Sequence, residues 1–270
     1  MTIVVVGGTG KTGSPLVRTL RERGESVRVA SRSASGFDWS KQDTWAAALD
    51  GASAVYLIAP YEPESAGLFV KQATSAGVRR FVVLSARDID KFPAEYFQGM
   101  AAAEQAVRDS GAEWTIIRPN NFSQNFSDPS IWRNELVAGR LALPIGDVAE
   151  PFIDAQDIAE VAAVLLTSDG HHGQVYTLSG PRALTFADAV AAMASASGRT
   201  IRYEEISPEE YREALVSSGA SEEAAAELDA LFAAMRAGLY AEPRDGVRQV
   251  LGRDPLDFDT YVAREVSAWS

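Results

Sequence analysis

Short apolar runs alternate with amphipathic stretches through the first half of the chain. Branched aliphatic residues dominate these runs, and a turn and then a helical pattern follow each run except the last. The alternation is typical of βα units that build a parallel sheet, and continuous apolarity suits strands covered on both faces. The predicted strands span residues 3–6, 27–30, 54–58, 81–84 and 114–117.

The pattern changes after Arg118 and Pro119. A polar, aromatic segment over residues 120–129 precedes a helix-like stretch at 131–137. The later predictions are a short strand and helix within 152–166, a strand at 174–178, a helix from Phe186 capped by Thr185, and helices starting after Ser207 and Ser221. The change at residue 120 indicates where a substrate-binding region begins.

Composition narrows the classes of partner. The 270 residues include no cysteine, which removes disulfides and thiolate catalysis and is compatible with a reducing compartment. A net charge of -12 repels phosphate backbones, so we expect no nucleic-acid partner. We find neither a signal-peptide pattern nor an apolar run that could span a membrane, and His171-His172 lacks a third ligand nearby. We therefore expect a cytoplasmic protein without a metal site. The sequence does not decide between a monomer and a homodimer.

A glycine-rich segment, residues 7–13, joins the first strand to a helix predicted over residues 14–20. Its spacing is GxxGxxG, in which the glycines permit a sharp turn, close backbone approach to a pyrophosphate and tight helix packing. A nucleoside triphosphate loop would need glycine where Val5 stands. A purely structural glycine turn is the remaining alternative. The candidate cofactor residues here are Gly7, Thr9, Gly10, Lys11, Thr12 and Gly13.

The end of the second strand bears on which dinucleotide binds. An NAD site usually places an acid there, against the ribose 2′-hydroxyl, but this chain reads Ser31-Arg32-Ser33. An arginine flanked by hydroxyls suits a 2′-phosphate, so we predict NADPH/NADP⁺ as the cofactor. The alternative is a solvated surface arginine.

Several segments along the chain together carry a resemblance to a known family. The segments are Val4 to Gly13, Phe37-Asp38-Trp39, Phe81 to Ser85, Ile117 to Phe126, Phe152-Ile153-Asp154 with Asp157-Ile158-Ala159, Leu178 to Pro181, and the helices from Pro208 to Arg236. In their order and spacing they resemble the NmrA-like atypical short-chain dehydrogenases/reductases, and the resemblance covers nearly the whole chain.

This resemblance implies a Rossmann-type, doubly wound α/β fold. An NADP(H)-binding domain would span residues 1–150. Residues 151–270 would form a smaller, mostly helical substrate lobe that partly completes the Rossmann core. The family includes quinone reductases, imine-reducing enzymes similar to festuclavine synthases, triphenylmethane dye reductases, and redox-sensing regulators without known turnover. The fold does not choose among these activities.

The resemblance also implies roles for individual residues. Asp38 and Trp39 would contact adenine, while Ala59 and Pro60 would lie along the cofactor. Ser85 would lie near the nicotinamide. The segment of Asn120, Phe122 and Asn125 would close over the nicotinamide end. Without the resemblance, Asp38 is equally a turn residue, Trp39 a core residue, Ser85 a strand-end hydroxyl, and the asparagines partners of their own backbone.

Typical short-chain dehydrogenases use Tyr-x-x-x-Lys on one helical face. The corresponding residues here are Tyr96 and Met100, and methionine supplies no positive charge. Tyr96 remains a candidate proton donor, but without the lysine a phenol is a weak general base at neutral pH. The alternative is an aromatic in packing or substrate contact. Other candidates for a flat-substrate pocket, or equally for the core, are Tyr61, Phe92, Phe97, Phe122 and Trp132.

The leading hypothesis is an NADPH-dependent reductase. It transfers hydride to a small conjugated, quinone-like or iminium-type substrate, because such acceptors carry charge or take protons from solvent. The alternatives are an NADP(H)-sensing regulator without turnover, and a non-redox cyclase or epimerase that retains NADP(H).

Overall fold

The computed structural model describes residues 2–270. Its strands are β1 Thr2–Val6, β2 Ser26–Ala30, β3 Ala52–Ile58, β4 Arg80–Leu84, β5 Glu113–Pro119, β6 Arg140–Leu143, β7 Ala149–Glu150, β8 Gln174–Leu178, β9 Leu184–Thr185 and β10 Arg202–Glu205. Its helices are α1 Gly13–Glu22, α2 Arg32–Ser35, α3 Trp45–Leu49, α4 Pro63–Ser75, α5 Gln98–Asp109, α6 Arg133–Val137, α7 Ala155–Thr167, α8 Phe186–Ser197, α9 Pro208–Ser217, α10 Glu222–Arg236, α11 Gly246–Leu251 and α12 Phe258–Glu265.

A six-stranded parallel sheet has the order β2-β1-β3-β4-β5-β8. The five strands predicted in the first half of the chain and the one predicted at 174–178 all lie within this sheet, and Ile3, Val4 and Val5 of β1 are fully buried. Strands covered on both faces need such continuous apolar runs. The prediction of a Rossmann-type α/β fold is therefore confirmed. Strand order reverses at β1, and ligands of open parallel sheets bind beyond the carboxyl ends of strands at such a point.

The chain folds into two compact units. The first comprises the residues up to Pro119 together with Ala155–Leu178 and Asp245–Asp254. The second comprises Asn120–Asp154, Ser179–Arg244 and Pro255–Ser270. This division differs from a single boundary at residue 150, because the later segments β8 and α7 return to the sheet of the first unit. There β8 pairs with β5, and α7 packs against α1.

The second unit has its own aromatic core. Phe126 packs against Trp132, Phe152 and Phe186 with ring centroids 5.0–5.8 Å apart. Two small sheets accompany it, in which β10 runs parallel to β6 and β7 antiparallel to β9. Trp132 is thus a core residue, as the alternative interpretation of the aromatics held.

Helix starts in the second unit agree closely with the sequence. Thr185 and Ser207 each form a capping box, with Asp188 and Glu210 respectively. The strand predicted near residue 152 is instead an isolated bridge between Ile153 and Phe122. Among residues 2–270, the structure has no helix with the length and apolarity needed to cross a membrane.

Candidate functional site

The glycine segment after β1 forms a hydrogen-bonded turn. Gly7 has a φ of 69°, a left-handed conformation that favours glycine, and its N–H donates to the Ala30 carbonyl at 2.8 Å. The N–H of Gly10 donates to the Gly7 carbonyl at 2.8 Å, and that of Ser14 to the Gly10 carbonyl at 2.9 Å. The chain therefore leaves β1, turns sharply and enters α1.

Two further glycines are needed because other atoms lie very close to them. A Cβ on Gly13 would overlap the carbonyl oxygen of Gly7 and lie 2.8 Å from the Cα of Gly8. A Cβ on Gly8 would lie 2.9 Å from Cγ1 of Val29. Helix α1 thus begins directly against the turn, which is the packing role expected of the last glycine in this motif.

The first turn of α1 has no side-chain cap. Thr12 occupies the N-cap position, yet its side chain makes no capping hydrogen bond and instead accepts one from the Tyr56 hydroxyl at 3.2 Å. Burial raises the pKa of Tyr56, so this phenol stays a protonated donor. A helix start without a side-chain acceptor suits an anionic ligand, because helix N-termini present amide donors.

A cavity of about 700 Å³ adjoins this turn within the first unit. It brings together seven of the residues proposed from sequence to bind the cofactor, namely Gly7, Thr9, Gly10, Arg32, Asp38, Trp39 and Pro60. Its other lining residues include Ser31, Ser33, Ser40, Ile58, Tyr61 and Glu62. Of the remaining candidates on the first unit, Thr12 and Gly13 are buried within the turn, and Lys11 and Ala59 are half-buried outside the lining.

Charge at one end of this cavity comes from Arg32 and Asp38. Arg32 is exposed and, within residues 2–270, forms no ion pair. The side chain of Ser40 donates to the Asp38 carboxylate at 2.8 Å and its backbone N–H at 3.0 Å. These hydrogen bonds hold the pKa of Asp38 below its ordinary value. At neutral pH a guanidinium and a carboxylate therefore face the same space.

Trp39 packs in an aromatic cluster and also lines the cavity. Its ring packs edge-on against Phe37, Phe69 and Trp45, with centroids 5.2, 4.9 and 5.7 Å away. It also lines the cavity beside Asp38. The aromatic cluster fixes the position of this wall, and the contact with adenine stays a prediction.

Ser85 follows β4 and is 4% exposed. Its hydroxyl makes no hydrogen bond of normal geometry, although it lies near enough to the Glu104 carboxylate to stabilise the charge there. Buried hydroxyls are normally paired, and the Glu104 carboxylate is the acceptor within reach of Ser85. Its role beside a nicotinamide stays a prediction.

Glu104 of α5, 3% exposed, is the centre of an ion-pair cluster. Arg118 donates to its two oxygens at 2.9 and 2.8 Å, and Arg108 donates at 2.9 Å. Burial raises the pKa of Glu104, but hydrogen bonds from Arg118 and the other donors outweigh burial, so the pKa lies below its ordinary value. Arg118 also donates to Asp90 at 2.9 Å, which joins the segment after β4 to β5.

Tyr96 lies two residues before α5. Phe97, at the N-cap of that helix, has a φ of 54°, an uncommon left-handed conformation for a residue with a side chain. Tyr96 and Met100 therefore do not share a helical face as the Tyr-x-x-x-Lys pattern assumes. Phe97 itself packs against Phe92 at 5.0 Å. A role for Tyr96 in proton transfer stays a prediction.

Asn120 and Phe122 belong to the second unit. The Asn120 amide, 4% exposed, donates to the Tyr240 carbonyl at 3.1 Å and to Glu150 at 3.4 Å. Asn121 donates to the other Glu150 oxygen at 2.8 Å. Asparagines in this segment thus stabilise their own unit, and their role at a cofactor stays a prediction.

Sequence reasoning missed Ile58 and Glu62 as walls of the cavity and named Tyr61 only for a flat-substrate pocket or the core. These residues flank Pro60 at the end of β3, so their position beside a predicted cofactor residue was an available signal. A second missed feature is Gly99, where a Cβ would overlap the carbonyl oxygen of Pro60. Within residues 2–270, the structure has no group of three or more metal-binding side chains.

Comparison with known proteins defines the family. Residues 7–169 match the family described as NAD(P)H-binding. An NAD(P)H azoreductase of Xenophilus azovorans is 31% identical, with 99% of each chain covered. Prestalk A differentiation protein A of Dictyostelium discoideum is 30% identical over 99% of this chain and 93% of its own. The chain belongs to this NAD(P)H-binding family, and the resemblance to NmrA-like atypical short-chain dehydrogenases/reductases is confirmed.

Solved structures agree on the fold. An NADPH-dependent quinone oxidoreductase from Escherichia coli, complexed with NADPH, superposes with a TM-score of 0.79 at 22% identity, covering 97% of this chain and 99% of that one.

Proposed function

We propose that this protein is an NADPH-dependent reductase that transfers hydride to a small conjugated acceptor, such as a quinone, an azo compound or an iminium ion. The observation that carries the proposal is the cavity that extends from the glycine turn to Arg32 in a chain of the NAD(P)H-binding family. The relative named as an azoreductase supports a conjugated acceptor.

The residues at the turn fit a dinucleotide. Close packing at Gly13 brings the start of α1 against the turn, and that helix start lacks a side-chain cap. The turn from Gly7 to Gly10 would therefore bring the pyrophosphate to the amides at the start of α1, with Lys11 adding positive charge. Arg32 would bind the 2′-phosphate, since a guanidinium suits phosphate geometry.

When bound, the reduced cofactor supplies the hydride. The protein then needs to hold the acceptor, exclude water and deliver a proton where the acceptor requires one. Ser85 would contribute a hydroxyl near the reacting groups, and Tyr96 a proton. Hydride addition to its carbon turns an iminium ion into a neutral amine without any proton transfer, so a chain with methionine in place of the usual lysine would suit acceptors of this kind. We place the activity in the cytoplasm, in keeping with a chain that has no cysteine.

A regulator that binds NADP(H) without turnover is the second candidate. The relative with a differentiation function in its name favours it, as does Met100 at the position of the catalytic lysine.

The decisive experiment is the loss of reduced-nicotinamide absorbance when the purified protein meets NADPH and a panel of quinones, azo dyes and cyclic iminium ions. Turnover of at least one class, with the matching reduced product, supports the reductase. Tight NADPH binding without turnover across the panel overturns it in favour of the regulator.

A further inference from the structure

Tyr61 has an exposed side chain on a closely packed backbone. It is 79% exposed, and within residues 2–270 its ring contacts no other aromatic ring. Helix α5 packs closely against the backbone of Tyr61. A Cβ on Gly99 would overlap the carbonyl oxygen of Pro60 and lie 3.1 Å from the carbonyl oxygen of Tyr61. The side chain therefore projects from a well-packed turn.

Tyr61 lines the same cavity as Arg32 and Trp39. The serines on either side of Arg32 line that cavity as well, whereas Ser85 does not. A ligand that places its phosphate at Arg32 would thus have the adjoining base within reach of Tyr61. Trp39 differs from Tyr61 because three neighbouring rings already hold its ring edge-on.

We propose that Tyr61 is a binding residue for the adenosine half of NADP(H), with its phenol ring stacking on the adenine. This proposal rests on the proposed cofactor function of the cavity. It assigns Tyr61 to the cofactor and removes it from the flat-substrate pocket considered from the sequence. An exposed aromatic ring gains most from a ligand with a flat π-face, and a purine provides one next to the phosphate.

The test compares Tyr61→Leu with Tyr61→Phe. Both remove the hydroxyl, but only phenylalanine keeps a ring for stacking. Leu68→Ala is the control, since Leu68 is 47% exposed on α4 and lies outside the cavity lining. Calorimetry measures the affinity of each protein for NADPH and for adenosine 2′,5′-bisphosphate, a ligand that carries the adenine and the 2′-phosphate but no nicotinamide.

We expect Tyr61→Leu to weaken both ligands by about 5- to 150-fold, the equivalent of ~1–3 kcal/mol for base stacking. Tyr61→Phe and Leu68→Ala should stay within about twofold of wild type, since neither removes a stacking ring. Unchanged bisphosphate affinity in Tyr61→Leu overturns the proposal, as does a defect confined to the KM of the acceptor. If the proposed function is wrong, the difference appears in the wild-type protein. That protein would then bind the bisphosphate and NADPH without turnover, or bind neither ligand.

Discussion

Replacement of Arg32 by alanine tests how the protein selects its cofactor. Arg32 is exposed, flanked by serines and without an ion pair among residues 2–270, so its removal leaves no buried charge behind. A hydrogen bond to a charged group contributes ~1.5–3 kcal/mol, and exposure points to the lower end of that range. About 1.5 kcal/mol corresponds to roughly tenfold in affinity. The Asp38 carboxylate stays in the cavity and would repel an uncompensated phosphate.

The assay is the ratio of kcat/KM for NADPH to that for NADH in wild type, Arg32→Ala and Arg21→Ala. Arg21 is an equally exposed arginine on α1, outside the cavity lining. We expect Arg32→Ala to lower the ratio about tenfold through NADPH alone, and salt to narrow the difference because exposed charges are screened. An unchanged ratio, or an equal loss in Arg21→Ala, would refute the assignment of the 2′-phosphate to Arg32.

Four further substitutions test the turn, the ion-pair cluster and the chemistry. Gly13→Ala should lower the free energy of unfolding in urea by ~1–3 kcal/mol and abolish NADPH binding, because its methyl group would overlap backbone atoms. The control Gly67→Ala in α4 places its methyl group in open space and should be neutral or stabilising. The pKa of Glu104 is lowered in the folded state, so its charge stabilises the fold above the ordinary value of 4.5, and that stability is lost as pH falls through the folded pKa. Glu104→Gln should therefore be less stable than wild type by ~1.5–3 kcal/mol at pH 7 and show a smaller loss of stability between pH 5 and acid; parallel pH profiles would contradict this. With an acceptor that requires a proton, such as a quinone, Tyr96→Phe and Ser85→Ala should each lower kcat by at least about tenfold with unchanged NADPH affinity, and unaltered turnover would remove that residue from the mechanism.

Local signals made the sheet and the turn predictable. The strands are continuous apolar runs, and Gly13 is required by its close approach to Gly7 and Gly8, so sequence spacing alone reports both features. Capping residues such as Thr185 and Ser207 likewise bond only three residues ahead. By contrast, the pairing of β6 with β10 joins segments about sixty residues apart, and nothing in either short strand indicates its partner.

The candidate site was predictable only in part, for the same reason. The left-handed φ of Phe97 starts α5 late, and this takes Tyr96 off the helical face that the sequence motif assumes. The position of Tyr61 in the cofactor cavity depends on the close approach of Gly99 to the Pro60 carbonyl, a contact that no periodicity shows. Burial and pairing of Glu104 also depend on contacts between α5 and β5.

Transfer of deuterium from labelled NADPH tests most directly whether this protein is a reductase. The protein would be mixed with NADPH deuterated at both C4 positions and a cyclic iminium acceptor, and the amine product analysed by mass spectrometry. We expect one deuterium on the former iminium carbon, with equimolar NADP⁺. A cofactor that stays reduced with the iminium ion and with quinones and azo dyes alike, or an amine product without deuterium, would contradict the assignment of this protein as an NADPH-dependent reductase.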